Sequence, residues 1–288
     1  NRVGGDMNTV KTVMGLMLVC ALSPTGVYAD DTEIFFAKAN ADNSENKPKA
    51  NVLFLIDTSG SMERDAPNSN RTKMQELQSA FSTVIDNLGS DIDVGLAKFN
   101  GGYDDSAYGG YVFYPVSEMN DAARTEIKQI VNGLEGTSNT PTMEAYSESA
   151  RYMLGYSPSN YAKRGEAVEN KPRRAVNIYA YNGRLYTKSA YDSPSNLNNQ
   201  CESNHIIVMT DGDPTRDSDY GSVRNITGKN CSGSYDCQAD LAKWIYNDGE
   251  DVNGSRKSIK TWQVALGVGK NSSQARNMKN VAEAGLGD

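Results

Sequence analysis

Asp57, Ser59 and Ser61 alternate in the stretch NVLFLIDTSGSM (51–62), where an apolar run ends in an acid and a row of small hydroxyl side chains. Two distant pieces repeat that chemistry. Thr140 precedes Pro141 in NTPTMEA (139–145), and Asp211 follows a second apolar run in VMTDGDP (208–214). Two carboxylates and three hydroxyls make an all-oxygen donor set without His or Cys. Such a set suits hard Mg²⁺, with Mn²⁺ as a substitute and Ca²⁺ as a further candidate, and disfavours Zn²⁺ and Cu²⁺. Small side chains let backbone close around an ion that demands near-octahedral geometry, and they leave a position for water or for a carboxylate from a partner protein. Each piece also has an ordinary structural role: Asp57 as a cap with Ser59-Gly60-Ser61 as a turn, Thr140 as a helix N-cap, Asp211 as a turn acid. Thr137 and Thr142 flank Thr140, and Thr142 is the alternative third hydroxyl.

The elements that must position these residues follow from periodicity. NVLFLID is a continuous apolar run bounded by turn residues, the mark of a strand buried on both faces of a parallel sheet. Met74, Leu77, Phe81, Val84, Ile85 and Leu88 then share one helical face. DVGLAKF (93–99) reads as the next strand and YVFYPV (111–116) as its hairpin return. Ile127, Ile130, Val131 and Leu134 mark a second amphipathic helix, and Met143, Tyr146, Ala150 and Met153 a third. HIIVMTD (205–211) is another buried strand, LAKWIY (241–246) lies in a helix, IKTWQVALGVG (259–269) is a strand, and Ser272 to Ala284 a last helix. This alternation predicts an α/β fold: a doubly wound, mostly parallel sheet with helices on both faces, whose ligands sit at the carboxyl ends of its strands. Asp57 and Asp211 both end apolar strands, so they arrive at one edge.

DTSGSM resembles the D-x-S-x-S signature of the von Willebrand factor A family. There a metal-ion-dependent adhesion site is built from that loop plus a distant threonine and aspartate. NTPTMEA is similar to the family's G-T-P loop and VMTDGDP to its T-D-G strand end. The resemblance implies Asp57, Ser59, Ser61, Thr140 and Asp211 as metal ligands and a partner's carboxylate at the open position. The family's glycines before the threonine are replaced here by TSNTPT. Within the broad family, DDTEIFF (30–36), NVLFLIDTSGSM, LAKWIYNDGED and VALGVG look like the amino-terminal region of type IV pilus tip adhesin and biogenesis proteins of the PilY/PilC type. That resemblance implies minor pilins, a host receptor or a surface as partners, and force sensing as a role. It also implies a propeller-like carboxyl-terminal half. This chain ends at Asp288, before the sheet's last strand and before any propeller repeat, and reads as a fragment.

The remaining sequence sets the address and excludes classes. Residues 1–6 precede Met7; residues 7–29 carry Lys11, an apolar stretch from Val13 to Leu22, Pro24 and a small-residue end at Ala29, which reads as a secretory signal. The apolar run is about half the roughly 20 residues a membrane span needs, and no other segment qualifies. Val19 is not the small residue that would precede an acylated Cys20. The expectation is Sec-dependent secretion to a pilus tip, outer membrane or cell surface. Residues 30–50 read as a leader or linker, and 51–288 as the domain, with an insertion at 155–200. A formal charge of −7 disfavours nucleic acid and anionic membrane as partners.

The insertion holds Tyr156, Tyr161, Tyr179, Tyr181, Tyr186 and Tyr191 beside a basic patch from Lys171 to Arg174, and AVNIYAYNGRLYT suggests a small hairpin. Its tyrosines suit either a contact surface or packing on the domain itself. Past the signal three cysteines remain, in an oxidising compartment. Residues 212–236 leave the Asp211 strand at the metal edge, so Cys231 and Cys237 are close enough to pair. Cys201 enters that strand about 20 Å away, beyond disulfide reach. Asp213, Asp217 and Asp219 lack the glycine and glutamate spacing of a calcium loop and read as a solvated acidic loop.

Two rivals to an adhesion or assembly module stand. A metal-dependent hydrolase or phosphatase would use Asp57, yet aspartyl-phosphate chemistry wants a second acid two residues on, where Ser59 stands. A serine hydrolase would need a base, and the single histidine, His205, starts its strand at the wrong edge. The second rival is a structural scaffold of pilus assembly that binds no metal.

Overall fold

A computed structural model of the chain describes residues 49–286 apart from 102–107, 138, 160–177, 182–183, 188, 195–201 and 252. The expectations for the signal, for most of the leader, for Tyr161, for Lys171 to Arg174 and for Cys201 lie outside the described residues.

Strand β1 (Ala50–Ile56) is buried from Asn51 onward, as a strand sandwiched between two helical layers must be. It is followed by helix α1 (Lys73–Asn87), strands β2 (Ile92–Gly101) and β3 (Tyr108–Glu118), and helices α2 (Asp121–Asn132) and α3 (Thr142–Leu154). A small hairpin, β4 (Ile178–Tyr181) and β5 (Arg184–Thr187), interrupts the alternation. Then come β6 (Ser203–Thr210), α4 (Tyr220–Thr227), α5 (Ser234–Asn247), β7 (Ile259–Ala265) and α6 (Ser273–Leu286).

The main sheet runs β3-β2-β1-β6-β7. β1 pairs in parallel with both β2 and β6, β6 pairs in parallel with β7, and β3 returns antiparallel to β2. Period-two alternation divides β1 between two cores. Leu53 and Leu55 join Met143, Tyr146, Ala150, Leu241 and Val281 of α3, α5 and α6. On the opposite face Phe54 meets Phe81 of α1 edge-on at 5.1 Å. Helices thus cover both faces. With β1 central, the order places the ends of β1 and β6 side by side, the position at which open α/β sheets bind ligands.

Helix α1 starts where it does because Thr72 and Gln75 form a reciprocal capping box. Its first residue, Lys73, is fixed further by its N–H, which donates to Arg64 O at 3.0 Å. Helix α3 lies so close to β3 that a Cβ on Gly110 would stand 2.4 Å from the Ala145 Cβ.

Two expectations need correction. The strand foreseen at 259–269 stops at Ala265, and the backbone turns at Gly267 with φ of +69°, a region L side chains rarely adopt. Residues 212–236 are not one loop, since α4 buries Val223 and Ile226 in the core. Cys237 accordingly lies inside α5; it does form a disulfide with Cys231, their Cα atoms 5.2 Å apart. The hairpin within AVNIYAYNGRLYT is present, its strands pairing Ile178 with Thr187 through Tyr181 with Arg184. Tyr156 and Tyr191, at the ends of the insertion, face their own domain. The Tyr156 hydroxyl donates to Glu250 O at 2.7 Å, while Tyr191 is buried against Tyr152 and donates to Glu148.

Candidate metal centre

The end of β1 is stitched to its neighbours before the chain turns. Asp57 N–H donates to Met209 O at 2.9 Å, and the Thr58 hydroxyl to Phe99 O at 3.0 Å. Beyond, Gly60–Glu63 makes one 3-10 turn anchored by the fully buried Met62. This compact turn points Ser59 and Ser61 the same way. Their hydroxyl oxygens lie 2.9 Å apart, and the Ser61 hydroxyl donates to Asp211 Oδ1 at 2.7 Å. A hydroxyl carries one hydrogen, so Ser59 is the donor to Ser61 and the chain of bonds runs Ser59, Ser61, Asp211.

Asp57 stands behind this chain. Its Oδ1 accepts the Ser59 N–H at 2.7 Å, its Oδ2 accepts the Thr210 hydroxyl at 2.6 Å, and the residue is fully buried. Burial holds its carboxyl above the usual carboxylate range against the lowering effect of these hydrogen bonds, with the neighbouring Asp211 charge pushing the same way as burial. A carboxyl so placed gains from a nearby positive charge.

Thr140 reaches the centre from the sheet's other flank. It is buried and lines, with Ser61 and Asp211, an open cleft of about 530 Å³. Two reciprocal bonds hold it there: Thr140 N–H donates to Thr215 Oγ1 at 2.9 Å and Thr215 N–H to Thr140 O at 3.0 Å. Thr142 does not line the cleft; it begins α3, where its N–H donates to Thr140 O at 2.9 Å. Of the two threonines, Thr140 is the one in the cleft. It also removes the N-cap role, because Pro141 occupies that position and Asp217 Oδ1 accepts the Met143 N–H at 2.8 Å. Asp57, by contrast, does cap the segment that follows it, through the Ser59 N–H.

The loop before Thr140 approaches the DTSGSM turn closely. Thr137 N–H donates to Thr58 O at 2.7 Å, and a Cβ at Gly136 would stand 2.6 Å from Ser59 O. A glycine does precede the threonine, four residues upstream, where contact demands it.

The solvated-loop expectation holds for Asp213 and fails for Asp217 and Asp219. Asp213 is exposed, but Asp217 and Asp219 are partly buried. Asp217 accepts bonds from both α3 and the Ser234 hydroxyl, while Glu144 Oε1 takes the N–H groups of Ser218 and Asp219 at 3.0 and 2.9 Å. Burial, with Glu144 beside it, holds the Asp217 carboxyl well above the usual range. The pair clasps the 212–219 segment to α3 and so fixes Thr215, Thr140 and Asp211 together. Sequence reasoning missed this clasp, and Thr210 and Lys73 with it. Lys73 Nζ lies 2.7 Å from Asp211 Oδ2, on the side away from Ser61.

The donor set fits a hard divalent ion. Cis oxygens around an ion with bonds of about 2.1 Å stand about 2.9 Å apart. The Ser59–Ser61 and Ser61–Asp211 separations of 2.9 and 2.7 Å are of that size. Among the described residues no cluster holds three or more His, Cys, Asp or Glu side chains. Any ion here would thus rest on two acids and on hydroxyls. His205 does not contribute. It lies near the start of β6, six residues and about 20 Å from Asp211, and its Nδ1 accepts the Trp262 indole N–H at 3.1 Å.

Residues 52–164 match the family model of the von Willebrand factor type A domain. No curated protein matches the chain. Among solved structures, it is similar to an aerotolerance-related membrane protein from Bacteroides fragilis, at 13% identity over 83% of this chain and 89% of that one with a TM-score of 0.41. It is also similar to the pilus adhesin SpaC from Lactobacillus rhamnosus GG, at 17% identity over 84% of this chain and 28% of that one, TM-score 0.41. Among the described residues no helix is long and apolar enough to cross a membrane.

Proposed function

We propose that the chain carries a von Willebrand factor type A domain, whose family model residues 52–164 match, and that it is a secreted, non-enzymatic adhesion or assembly module that grips a protein partner through a divalent cation. Mg²⁺ is the ion of choice, Mn²⁺ its substitute and Ca²⁺ a weaker fit. The observation that carries the reading is the convergence of Ser61, Thr140 and Asp211 on one cleft at the sheet's carboxyl edge, with Ser59 bonded to Ser61 just beneath it and Asp57 buried behind.

Asp57, Asp211 and the three hydroxyls of Ser59, Ser61 and Thr140 would hold the ion, and Asp57 would also orient the turn through the Ser59 N–H. Bound there, the ion supplies an electrophilic position that a partner's carboxylate can fill. The chain's own residues keep that position narrow and rigid: Met62 anchors the turn, Thr215 pins Thr140, and the Asp217–Glu144 clasp fixes the 212–219 segment. The PilY/PilC resemblance makes pilus components, a host receptor or a surface the partners, and a pilus tip, outer membrane or cell surface the place. Attachment of the secreted protein in Mg²⁺ against chelator, for wild type and Ser61→Ala/Thr140→Ala, tests the reading. Attachment that needs Mg²⁺ and both hydroxyls supports it; attachment indifferent to chelator and to the variant favours the metal-free scaffold.

A further inference from the structure

Two positive side chains, Lys73 and Arg64, line the cleft in which a divalent cation is proposed to bind. Of these, Lys73 is engaged with a ligand residue. Its Nζ sits 2.7 Å from Asp211 Oδ2, with side-chain exposures of 15% for the lysine and 0% for the aspartate. The two oxygens of Asp211 are thus divided, Oδ1 toward the serines and Oδ2 toward an ammonium.

The placement of Lys73 is built in rather than incidental. Its backbone is fixed as the first residue of α1 by the Thr72–Gln75 capping box and by its bond to Arg64 O. Its aliphatic stem crosses the turn after β7 at Gly267, where a Cβ would stand 3.2 Å from Lys73 Cε and 3.0 Å from Pro67 Cδ. Only a residue without a side chain leaves that passage open, and at φ +69° the backbone also favours glycine. Three segments distant in sequence therefore cooperate to bring one ammonium onto one carboxylate.

We propose that Lys73 is a built-in competitor for the divalent cation, holding the site in a low-affinity state by neutralising Asp211. This rests on the metal-site reading above. An ion on Oδ1 is one carboxylate away from the ammonium on Oδ2, in a cleft lined by Asp211 and Asp213 against Lys73 and Arg64, so the two positive charges repel. Affinity of oxygen sites for hard cations follows the negative charge of the ligand set, and Lys73 removes one unit of it. The effect is reciprocal: an ion that binds weakly because of Lys73 must, when bound, loosen Lys73 from Asp211. Metal loading is then coupled to the start of α1 and to the Gly267 turn, and the released ammonium joins Arg64 at the mouth of the cleft.

The test is calorimetric titration of MgCl₂ into chelator-stripped full chain for wild type, Lys73→Met and Lys73→Gln. Both variants are expected to bind at least about tenfold tighter than wild type, since a ligand set short of one cation binds harder. Equal affinity overturns the proposal, and weaker binding in the variants does so too, by making Lys73 an orienting residue for Asp211. Absence of binding in all three folded proteins overturns the metal-site reading and the proposal together, which separates the two failures. Should the variants not fold, amine-reagent labelling of wild-type Lys73 at constant ionic strength decides. Labelling that rises with Mg²⁺ supports the competition, and unchanged labelling at saturating metal contradicts it.

Discussion

Asp211→Asn, measured in chelator, isolates the electrostatic balance of the cleft without any appeal to a metal. At 2.7 Å the Lys73–Asp211 pair has a gross attraction of about 6 kcal/mol at an effective dielectric of 20. Desolvation of two nearly buried charges cancels much of this, and Lys73 keeps some contact with the solvent-filled cleft. A net coupling of about 3 kcal/mol remains. Neutralising Asp211 leaves the ammonium uncompensated; Lys73→Met leaves the carboxylate with only the Ser61 hydroxyl. Each single change is expected to cost about 2–4 kcal/mol, and the double variant Lys73→Met/Asp211→Asn to cost less than their sum by about 3 kcal/mol. Urea unfolding of the four proteins, with m-values checked for constancy, reads this directly. A coupling below about 0.5 kcal/mol, the size seen for exposed pairs, would refute the claim that the two side chains form an enclosed pair.

Three further outcomes follow from the geometry. His205 is half-buried beside Lys260, and loss of solvent first, then that charge, holds its imidazole down at about 4. The unfolded chain binds the proton first, so stability is present above the ordinary value of 6.5 and lost as pH falls toward 4. By pH 4 the wild type should have lost about 3 kcal/mol relative to His205→Asn, and parallel pH profiles of unfolding would count against it. Reducing Cys231–Cys237 opens a six-residue separation and should lower stability by about 2 kcal/mol, read as a drop in thermal midpoint on adding reductant that Cys231→Ala/Cys237→Ala does not show. Gly110→Ala would drive a methyl into Ala145 and Lys98 O and should cost about 1–3 kcal/mol; a neutral effect in denaturant titration would mean that α3 packs less tightly on β3.

The architecture was legible because burial on both faces leaves a plain mark. The apolar runs of β1 and β6 cannot be solvent-facing strands, and each ends in an acid that the parallel register brings to one edge. The site's donors were legible for the same reason, since Asp57, Ser59, Ser61 and Asp211 stand at or just past those ends. What escaped was tertiary. Nothing local marks Lys73, a lysine at a helix start, as the partner of an aspartate 138 residues away. Asp217 reads as a loop acid until α3 offers it an N–H and Ser234 a hydroxyl. Helix α4 escaped because eight residues rich in Gly, Ser, Asn and Thr carry little helical propensity, and Val223 and Ile226 hold it only by packing. Pro141 signals the start of α3 correctly, but the capping oxygen there comes from Asp217 rather than from Thr140.

The central claim is that five oxygen-bearing side chains at one sheet edge form a divalent-cation site. Its most direct measurement is calorimetric titration of Mg²⁺ and Mn²⁺ into the chelator-stripped secreted protein beside a folded Asp57→Ala/Ser61→Ala variant. The account predicts saturable binding of one ion per chain in the wild type and none in the variant. Equal heats in both proteins, or no binding by the folded wild type, would contradict it and leave these residues as turn and capping groups of a scaffold.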